Sequence, residues 1–153
     1  MIACRLIVDR AAPGVCNMAV DESLLQSAAE HQQPTLRFYM WQPATLSLGY
    51  FQRLSDRQLH SASKGCDVVR RASGGGAILH DRELTYCFAT PSRNRFQSAE
   101  QLYRAFHESL VEVLTQAGIA AQLNPEGQEI ARLRGDAAWH SDSARAIVAA
   151  LIK

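Results

Sequence analysis

The alternation of apolar and polar residues along the chain predicts a series of short strands. Segments with the composition or the alternation of strands lie at 2–8, 35–41, 45–50, 67–70, 77–79 and 84–89, with a further candidate at 120–123. In the third of these segments polar and apolar residues take turns, which predicts a half-buried strand. Three consecutive glycines interrupt the pattern between the fourth and fifth segments.

One helix is predicted between the first two strands. Val20, Leu24 and Ala28 recur at every fourth position, as they would on one face of a helix. Asn17 precedes them and is a residue type that caps helix N-termini. We therefore expect a helix over about residues 18–29.

A second, longer helix is predicted after the last strand pair. Ser98 would cap it and Gly118 would end it. Its apolar face would consist of Leu102, Phe106, Leu110, Val113, Leu114 and Ala117. Shorter helices are expected from Ser55 to near Gly65 and over 144–152. Strands with a few helices inserted predict an α+β fold, a mixed and mostly antiparallel sheet with helices packed on it.

Composition and charge exclude several classes of protein. The 153 residues are 47% hydrophobic and 20% charged, with a net charge of +1, so neither nucleic acid nor an anionic membrane is expected as a partner. The four cysteines lack zinc-site spacing, and no metal site is predicted. We find no secretory signal pattern and no membrane-spanning run, which predicts a cytoplasmic protein with free thiols.

Candidate chemistry concentrates in residues 71–77, here called the glycine loop, and in the arginine before it. Three adjacent glycines are costly in backbone entropy, and their bare N–H groups can surround an anion. Arg70 and Arg71 carry planar guanidinium groups that match phosphate and carboxylate. The spacing fits neither a P-loop nor a dinucleotide motif. The residues alone leave two alternatives open, a phosphoanhydride or acyl-phosphate site and a glycine-rich turn beside two solvated arginines.

Three segments in chain order resemble one family. Residues 70–81, Arg-Arg-Ala-Ser-Gly-Gly-Gly-Ala-Ile-Leu-His-Asp, continue into Glu-Leu-Thr-Tyr at 83–86 and resemble the central motif of biotin/lipoate ligase-like catalytic domains. Residues 17–22 resemble the first helix of that family, and residues 34–52 resemble its central strand pair. Within the family, the chain is similar to lipoate–protein ligases and octanoyltransferases over about residues 2–123.

The resemblance implies a biotin/lipoate ligase-like fold and the transfer of a lipoyl or octanoyl group to a lysine of a lipoyl carrier domain. The carrier would belong to a 2-oxoacid dehydrogenase or a glycine cleavage protein. A ligase would use lipoate or octanoate and ATP, with or without Mg²⁺. An octanoyltransferase would need no cofactor and could take its acyl group from acyl carrier protein. Residues 83–86 resemble the octanoyltransferase version and Gly76 the ligase version, so both subfamilies stay open.

The resemblance also implies roles for individual residues. The nucleotide side of the site would consist of Arg71, Gly76, Ala77, Ile78 and Leu79. The acyl side would consist of Arg70, Ser73, Gly74, Gly75 and His80. His80 would lie at the mouth of the pocket, near the carbonyl that is attacked, and is the candidate catalytic residue. The alternative for His80 is a hydrogen-bonded structural histidine.

The sequence departs from the family downstream. The family has a lysine in a Gly-x-Lys segment, but Lys64 and Lys153 are the only lysines here and neither has that context. Octanoyltransferases have a nucleophilic cysteine further along, and no cysteine follows Cys87. We therefore expect residues 1–124 to form an incomplete catalytic domain and residues 125–153 a divergent tail. This departure leaves one alternative open, a truncated relative that binds the acyl group or adenylate without transferring it. A second alternative is a biotin-ligase-like protein, since the fold is shared, but residues 70–77 with His80 and Asp81 speak against it.

Overall fold

Two three-stranded mixed sheets form the first part of the chain. The computed structural model describes residues 4–59, 61–91 and 98–123. The strands of the described residues are β1 Arg5–Val8, β2 Thr35–Tyr39, β3 Thr45–Leu48, β4 Asp67–Arg70, β5 Ile78–His80 and β6 Thr85–Ala89. In the first sheet β2 pairs with β1 in parallel and with β6 antiparallel. In the second, β3 pairs with β4 in parallel and with β5 antiparallel.

The predicted α+β class with mixed pairing is confirmed. The predicted predominance of antiparallel pairs is wrong for the described strands, where two pairings are parallel and two are antiparallel. Parallel pairs need crossovers of a dozen or more residues, and both connections are that long. The first holds an α-helix and the second holds two 3₁₀ segments, Leu54–Leu59 and Ser61–Ser63. These 3₁₀ turns replace the short helix predicted between residues 55 and 65.

The strand β3 is buried on both faces, which corrects the prediction of a half-buried strand. All four of its residues are inaccessible to solvent. The Thr45 hydroxyl donates to the carbonyl oxygen of Pro43 at 3.0 Å. A Cβ atom built on Gly14 would lie 2.6 Å from the Thr45 methyl group, so the polar face is covered by helix. The two polar residues of β3, Thr45 and Ser47, therefore face other parts of the protein and not solvent.

The first helix, α1 Gly14–His31, is longer than predicted and begins earlier. Its N-cap residue is Pro13, so the assignment of Asn17 as the cap is wrong. Asn17 is fully buried, and its amide nitrogen donates to the carbonyl oxygens of Ala12 at 3.2 Å and Met40 at 3.1 Å. The helix packs on strands of both sheets. Its inner face buries Leu24 and Ala28, which the helical spacing had predicted.

A buried ion network joins β1, α1 and β2. Arg37 is 1% exposed, and its guanidinium group donates to Asp9 at 2.7 Å and to Asp21 at 2.8 Å. It also donates to the side-chain oxygen of Asn17 at 3.0 Å. The Tyr39 hydroxyl donates to the second oxygen of Asp21 at 2.7 Å. Burial lowers the pKa of Arg37, but bonds and charges from the two aspartates offset this and raise it above its ordinary value.

The second helix, α2 Ala99–Gln116, belongs to a separate unit that spans residues 94–153. The Ser98 hydroxyl accepts from the Gln101 N–H at 3.2 Å, which confirms the predicted cap. Gly118 has φ +78, as expected of the residue that ends the helix. Residues 120–123 form no strand, contrary to the prediction. The predicted helix over 144–152 lies outside the described residues. In the described parts of the chain, neither α-helix has the apolar length that a membrane span requires.

Candidate functional site at the glycine loop

Arg71 is the first residue of the glycine loop, which connects β4 to β5, and its side chain donates hydrogen bonds to backbone carbonyls of the same loop. Its Nη1 donates to the carbonyl oxygen and the hydroxyl of Ser47, at 2.9 and 2.7 Å. Its Nη2 donates to the carbonyl oxygens of Gly74 at 3.1 Å and Gly76 at 2.8 Å. Burial lowers the pKa of the guanidinium group, which still carries its charge at neutral pH. A half-buried cation is thereby fixed against the loop carbonyls.

The backbone N–H groups of the loop have a different environment from its carbonyls. Within the described residues, the N–H groups of Gly74, Gly75 and Gly76 have no hydrogen-bond acceptor, and all three residues are exposed. Gly75 has φ +95, a conformation that favours glycine. A Cβ atom built on Gly49 would lie 2.0 Å from the Gly75 carbonyl oxygen, so two backbone segments touch here. The loop therefore presents donors to solvent while its carbonyls are held by the protein.

Arg70 organises the segment that follows β3. Its Nη1 donates to the carbonyl oxygens of Gly49 at 2.9 Å, Tyr50 at 2.9 Å and Gln52 at 2.6 Å. Tyr50 and Phe51 are exposed, with ring centroids 5.0 Å apart in an edge-to-face arrangement. The two arginines that sequence reasoning singled out therefore stabilise two adjacent backbone segments.

His80 is buried beneath the loop, with 4% of its surface exposed. Its Nε2 lies 2.6 Å from the Ser47 hydroxyl, and its Nδ1 is hydrogen-bonded to the Glu83 carboxylate. The ring stacks on Trp41 with centroids 3.9 Å apart and planes 9° apart. Both ring nitrogens are thus held by side chains of the protein.

The contacts of His80 continue to a second pair of residues. The Trp41 indole N–H donates to the Thr85 hydroxyl at 2.7 Å, and this hydroxyl donates to Glu83 at 3.0 Å. Sequence reasoning did not assign roles to Ser47, Glu83, Trp41 or Thr85. All four occur in the motifs that carry the family resemblance, but their contacts join residues up to 44 positions apart. Only the fold brings these side chains together.

The other predicted site residues lie on the same loop or at the start of β5. Ser73 is exposed, and its carbonyl oxygen accepts from the Tyr50 N–H at 2.9 Å. Ala77 and Ile78 are exposed, whereas Leu79 is half-buried and pairs with Leu46 in the sheet. The predicted residues are therefore contiguous in space, and their division into nucleotide and acyl sides stays a prediction. The placement of His80 at the mouth of a pocket also stays a prediction.

A sequence model of the lipoyl protein ligase A/B catalytic domain matches residues 13–140. The chain belongs to this family. The match continues past residue 124, and the predicted division of the chain at that residue stays a prediction. The resemblance drawn from the three motifs is confirmed, including the subgroup of lipoate ligases and octanoyltransferases.

Named relatives and solved structures agree with this membership. Octanoyltransferase LipM of Clostridioides difficile (strain 630) is 40% identical over 134 residues, 84% of this chain and 49% of that protein. A bi-partite lipoate protein ligase from Thermoplasma acidophilum, described with its E2 lipoyl domain, superposes with TM-score 0.64 and 26% identity, covering 82% of this chain and 49% of that one. Lipoate-protein ligase A bound with ATP gives TM-score 0.63 and 29% identity, covering 80% and 49%. The chain spans about half the length of these proteins.

Cys87 lies in β6 and is partly buried. Burial, followed by the charge and hydrogen bond of Asp21, raises the pKa of its thiol to about 12. The thiolate is the nucleophilic form, so this environment suppresses reactivity. Cys87 also packs with Tyr39, Trp41 and Val69. These contacts favour a role as a small buried side chain.

We expect Cys87 to alkylate at least about tenfold more slowly than the exposed Cys16 between pH 7 and 9, since a buried thiol with a raised pKa offers little thiolate. Timed iodoacetamide labelling followed by peptide mass spectrometry measures both rates in one sample. In denaturant the two rates should converge. Equal rates in the folded protein would show that Cys87 is accessible and ionised.

The contact between Gly49 and Gly75 predicts a stability difference between two glycine substitutions. Gly49→Ala should lower the free energy of unfolding by about 1–3 kcal/mol, since its Cβ would collide with backbone. Gly65→Ala is the matched control, because nothing lies within 4 Å of its Cβ and its φ is not positive. Both changes remove the same backbone freedom from the unfolded chain. Urea denaturation measures both, and equal losses would contradict the close approach.

Proposed function

We propose that this chain binds a lipoyl or octanoyl group in activated form and passes it to a lysine of a lipoyl carrier domain. The observation that carries the proposal is the glycine loop, where exposed N–H groups without acceptors among the described residues lie beside the Arg71 cation. Such donors suit an anion or a developing negative charge on oxygen. The names of the relatives support the acyl group as the substrate.

The proposed site has two sides. On the nucleotide side, Gly76, Ala77, Ile78 and Leu79 would contact the phosphate or the rest of the nucleotide. Arg71, whose four terminal N–H groups are bonded within the protein, would place its charge beside them. The acyl side would be shaped by Arg70, Ser73, Gly74, Gly75 and His80. Arg70 would act through the backbone, because it holds the carbonyls of the segment that carries Tyr50 and Phe51. This segment exposes aromatic surface next to the loop, which suits an eight-carbon chain.

The acyl donor distinguishes two forms of the proposal. In the ligase form, free lipoate or octanoate and ATP would be substrates, and ATP would supply the activation of the carboxylate. The donors of the glycine loop fit a phosphate, and the relative solved with ATP supports this form. In the octanoyltransferase form, the acyl group would arrive as a thioester on acyl carrier protein without ATP, which the name of the LipM relative supports. We assign no residue to Mg²⁺.

Transfer itself makes one bond and breaks another. The lysine amine nitrogen bonds to the acyl carbon, and the bond from that carbon to phosphate oxygen or thioester sulfur breaks with its electron pair. The amine releases a proton to solvent, and AMP or a thiolate leaves. Loop N–H groups and the Arg71 charge would stabilise the negative charge that develops on oxygen during this exchange.

A transfer assay tests the proposal. The full chain is incubated with an apo lipoyl domain and one of two donors, octanoate or lipoate with ATP, or octanoyl-acyl carrier protein without ATP. Intact-mass spectrometry of the carrier domain should show one added acyl group, and the donor that works identifies the form. A carrier domain with its acceptor lysine changed to arginine is the control. Binding of neither donor, with no acyl group added, would overturn the proposal.

A second candidate function is binding without transfer. The observation that favours it is the absence of a lysine in the family's Gly-x-Lys context within these 153 residues. In this case titration calorimetry would show binding of the acyl ligand, while the mass of the carrier domain would not change. The same preparation therefore separates the two functions.

A further inference from the structure

A continuous chain of side-chain hydrogen bonds runs from a buried tryptophan to the glycine loop. Its members, in order, are Trp41, Thr85, Glu83, His80, Ser47 and Arg71. From Arg71 it reaches the carbonyl oxygens of Gly74 and Gly76. We call the three central residues, Glu83, His80 and Ser47, the relay. Of these three, only His80 has a place in the predicted division of the site, on the acyl side and as the candidate catalytic residue.

The donor and acceptor roles along the relay follow from its two ends. The Arg71 guanidinium only donates, so the Ser47 oxygen accepts from it. The Ser47 hydroxyl has two possible acceptors, His80 Nε2 at 2.6 Å and the Ile78 carbonyl oxygen at 3.5 Å, and we assign its proton to the nearer one. The Nδ1–H of His80 donates to Glu83, because a carboxylate oxygen accepts. In this assignment the His80 proton lies on Nδ1, and each member of the relay has a partner on either side.

Burial determines how the relay can act. Ser47 has no exposed surface and His80 has 4%, and both ring nitrogens of His80 are occupied. A serine, a histidine and a carboxylate in this order resemble a nucleophilic triad. However, the Ser47 oxygen is closed off from solvent and already accepts from Arg71, so an acyl carbonyl has no approach to it. The relay can reach a ligand only through Arg71 and the loop.

We propose that Ser47, His80 and Glu83 are positioning residues, which fix the Arg71 fork and through it hold the glycine loop in the conformation that binds the acyl phosphate or thioester. The proposal rests on the function proposed above. Arg71 needs both a support and a target for its four terminal N–H groups. Ser47 supplies two acceptors on one side, and the loop carbonyls supply two on the other. His80 orients the Ser47 hydroxyl so that its lone pairs face Arg71, and Glu83 selects the His80 tautomer.

Four substitutions in the full chain test this. Ser47→Ala and His80→Phe should each weaken binding of a non-hydrolysable octanoyl-adenylate analogue by about tenfold, the cost of losing one charge-assisted hydrogen bond. Phenylalanine keeps the stack on Trp41, so packing is retained. Glu83→Gln keeps an acceptor oxygen and should stay within about threefold of wild type, whereas Glu83→Ala should behave like His80→Phe. Ser23→Ala is the control, since its hydroxyl bonds only the helix backbone at 2.8 Å.

A double mutant separates positioning from general structure. If the relay acts through Arg71, Ser47→Ala should cost little further affinity once Arg71 is already alanine. Full additivity of the two losses would overturn the proposal. Wild-type affinity in Ser47→Ala would overturn it as well.

A second readout needs no ligand. In ¹H–¹⁵N spectra of the full chain, Ser47→Ala and His80→Phe should shift the amide signals of Gly74, Gly75 and Gly76, while Glu83→Gln and Ser23→Ala should leave them in place. Unshifted signals in Ser47→Ala would overturn the relay. If wild type binds no acyl probe but the signals shift as expected, the proposed function fails and the relay stands. The spectra also show whether each variant is folded. If His80→Phe does not fold, the difference between Glu83→Ala and Glu83→Gln still tests the relay.

Discussion

Arg37→Met is expected to lower the free energy of unfolding by about 3–5 kcal/mol. Breaking a buried ion pair from one side leaves the other charge without its partner in a poor solvent. Asp21 would lose the guanidinium group at 2.8 Å, with only 18% of its side chain exposed to water. Methionine keeps most of the apolar volume of the arginine stem, so the loss reports the charge network more than a cavity. Urea denaturation followed by circular dichroism measures it.

The chain carries its own control for this experiment. Arg104 and Glu108 form an ion pair of similar length, 2.9 Å, on the exposed surface of α2. Because both side chains are largely solvated, Arg104→Met should change stability by no more than about 1 kcal/mol. Equal effects of the two substitutions would mean that burial of Arg37 does not determine its contribution. A small effect of Arg37→Met alone would mean that the bond Asp21 already accepts from the Tyr39 hydroxyl is enough to stabilise its carboxylate.

The sequence predicted those elements whose signals are local. The spacing of Leu24 and Ala28 found the inner face of α1, and Ser98 and Gly118 marked both ends of α2. The pairing between strands could not be predicted from the sequence, because it depends on which segments the crossovers bring together. For the same reason the polar residues of β3 were read as solvent-facing when they face the protein.

Asn17 shows why a local rule failed at one helix end. Its residue type favours a cap, but its amide bonds the backbone of Ala12 and Met40, and its oxygen accepts from Arg37. The buried arginine of β2 therefore takes the oxygen that a cap would use. Arg37 itself looked like an ordinary strand residue, since nothing in the sequence near it shows that Asp9 and Asp21 converge on it.

In the candidate site, too, some features have a local sequence signal and others are formed only by the fold. Three adjacent glycines after two arginines are a local signal strong enough to locate the loop. That Arg70 and Arg71 bind backbone carbonyls could not be read from their types, which suit phosphate equally well. The relay of Ser47, His80 and Glu83 joins two strands of one sheet to the residues after it, so it exists only once β3 and β5 are paired.

Arg71→Ala is expected to weaken binding of an octanoyl-adenylate analogue by about a hundredfold, and binding of free octanoate by far less. Removing the fork takes away the positive charge beside the loop and releases the carbonyls of Gly74 and Gly76. The adenylate carries a phosphate that both changes affect, and losing a charge-assisted contact to an anion costs about 2–3 kcal/mol. Titration calorimetry with both ligands gives the ratio.

Arg71→Lys separates the two contributions of the arginine. Lysine keeps the charge but cannot hold Ser47 and both loop carbonyls in one plane. If the charge dominates, Arg71→Lys should regain most of the affinity for the adenylate. If the fork dominates, the lysine variant should bind as weakly as the alanine variant, which is the result that the four bonds of Arg71 lead us to expect. Equal losses for octanoate and adenylate in Arg71→Ala would argue against any phosphate role, because neither the Arg71 charge nor the loop that its fork holds would then favour the ligand that carries the phosphate.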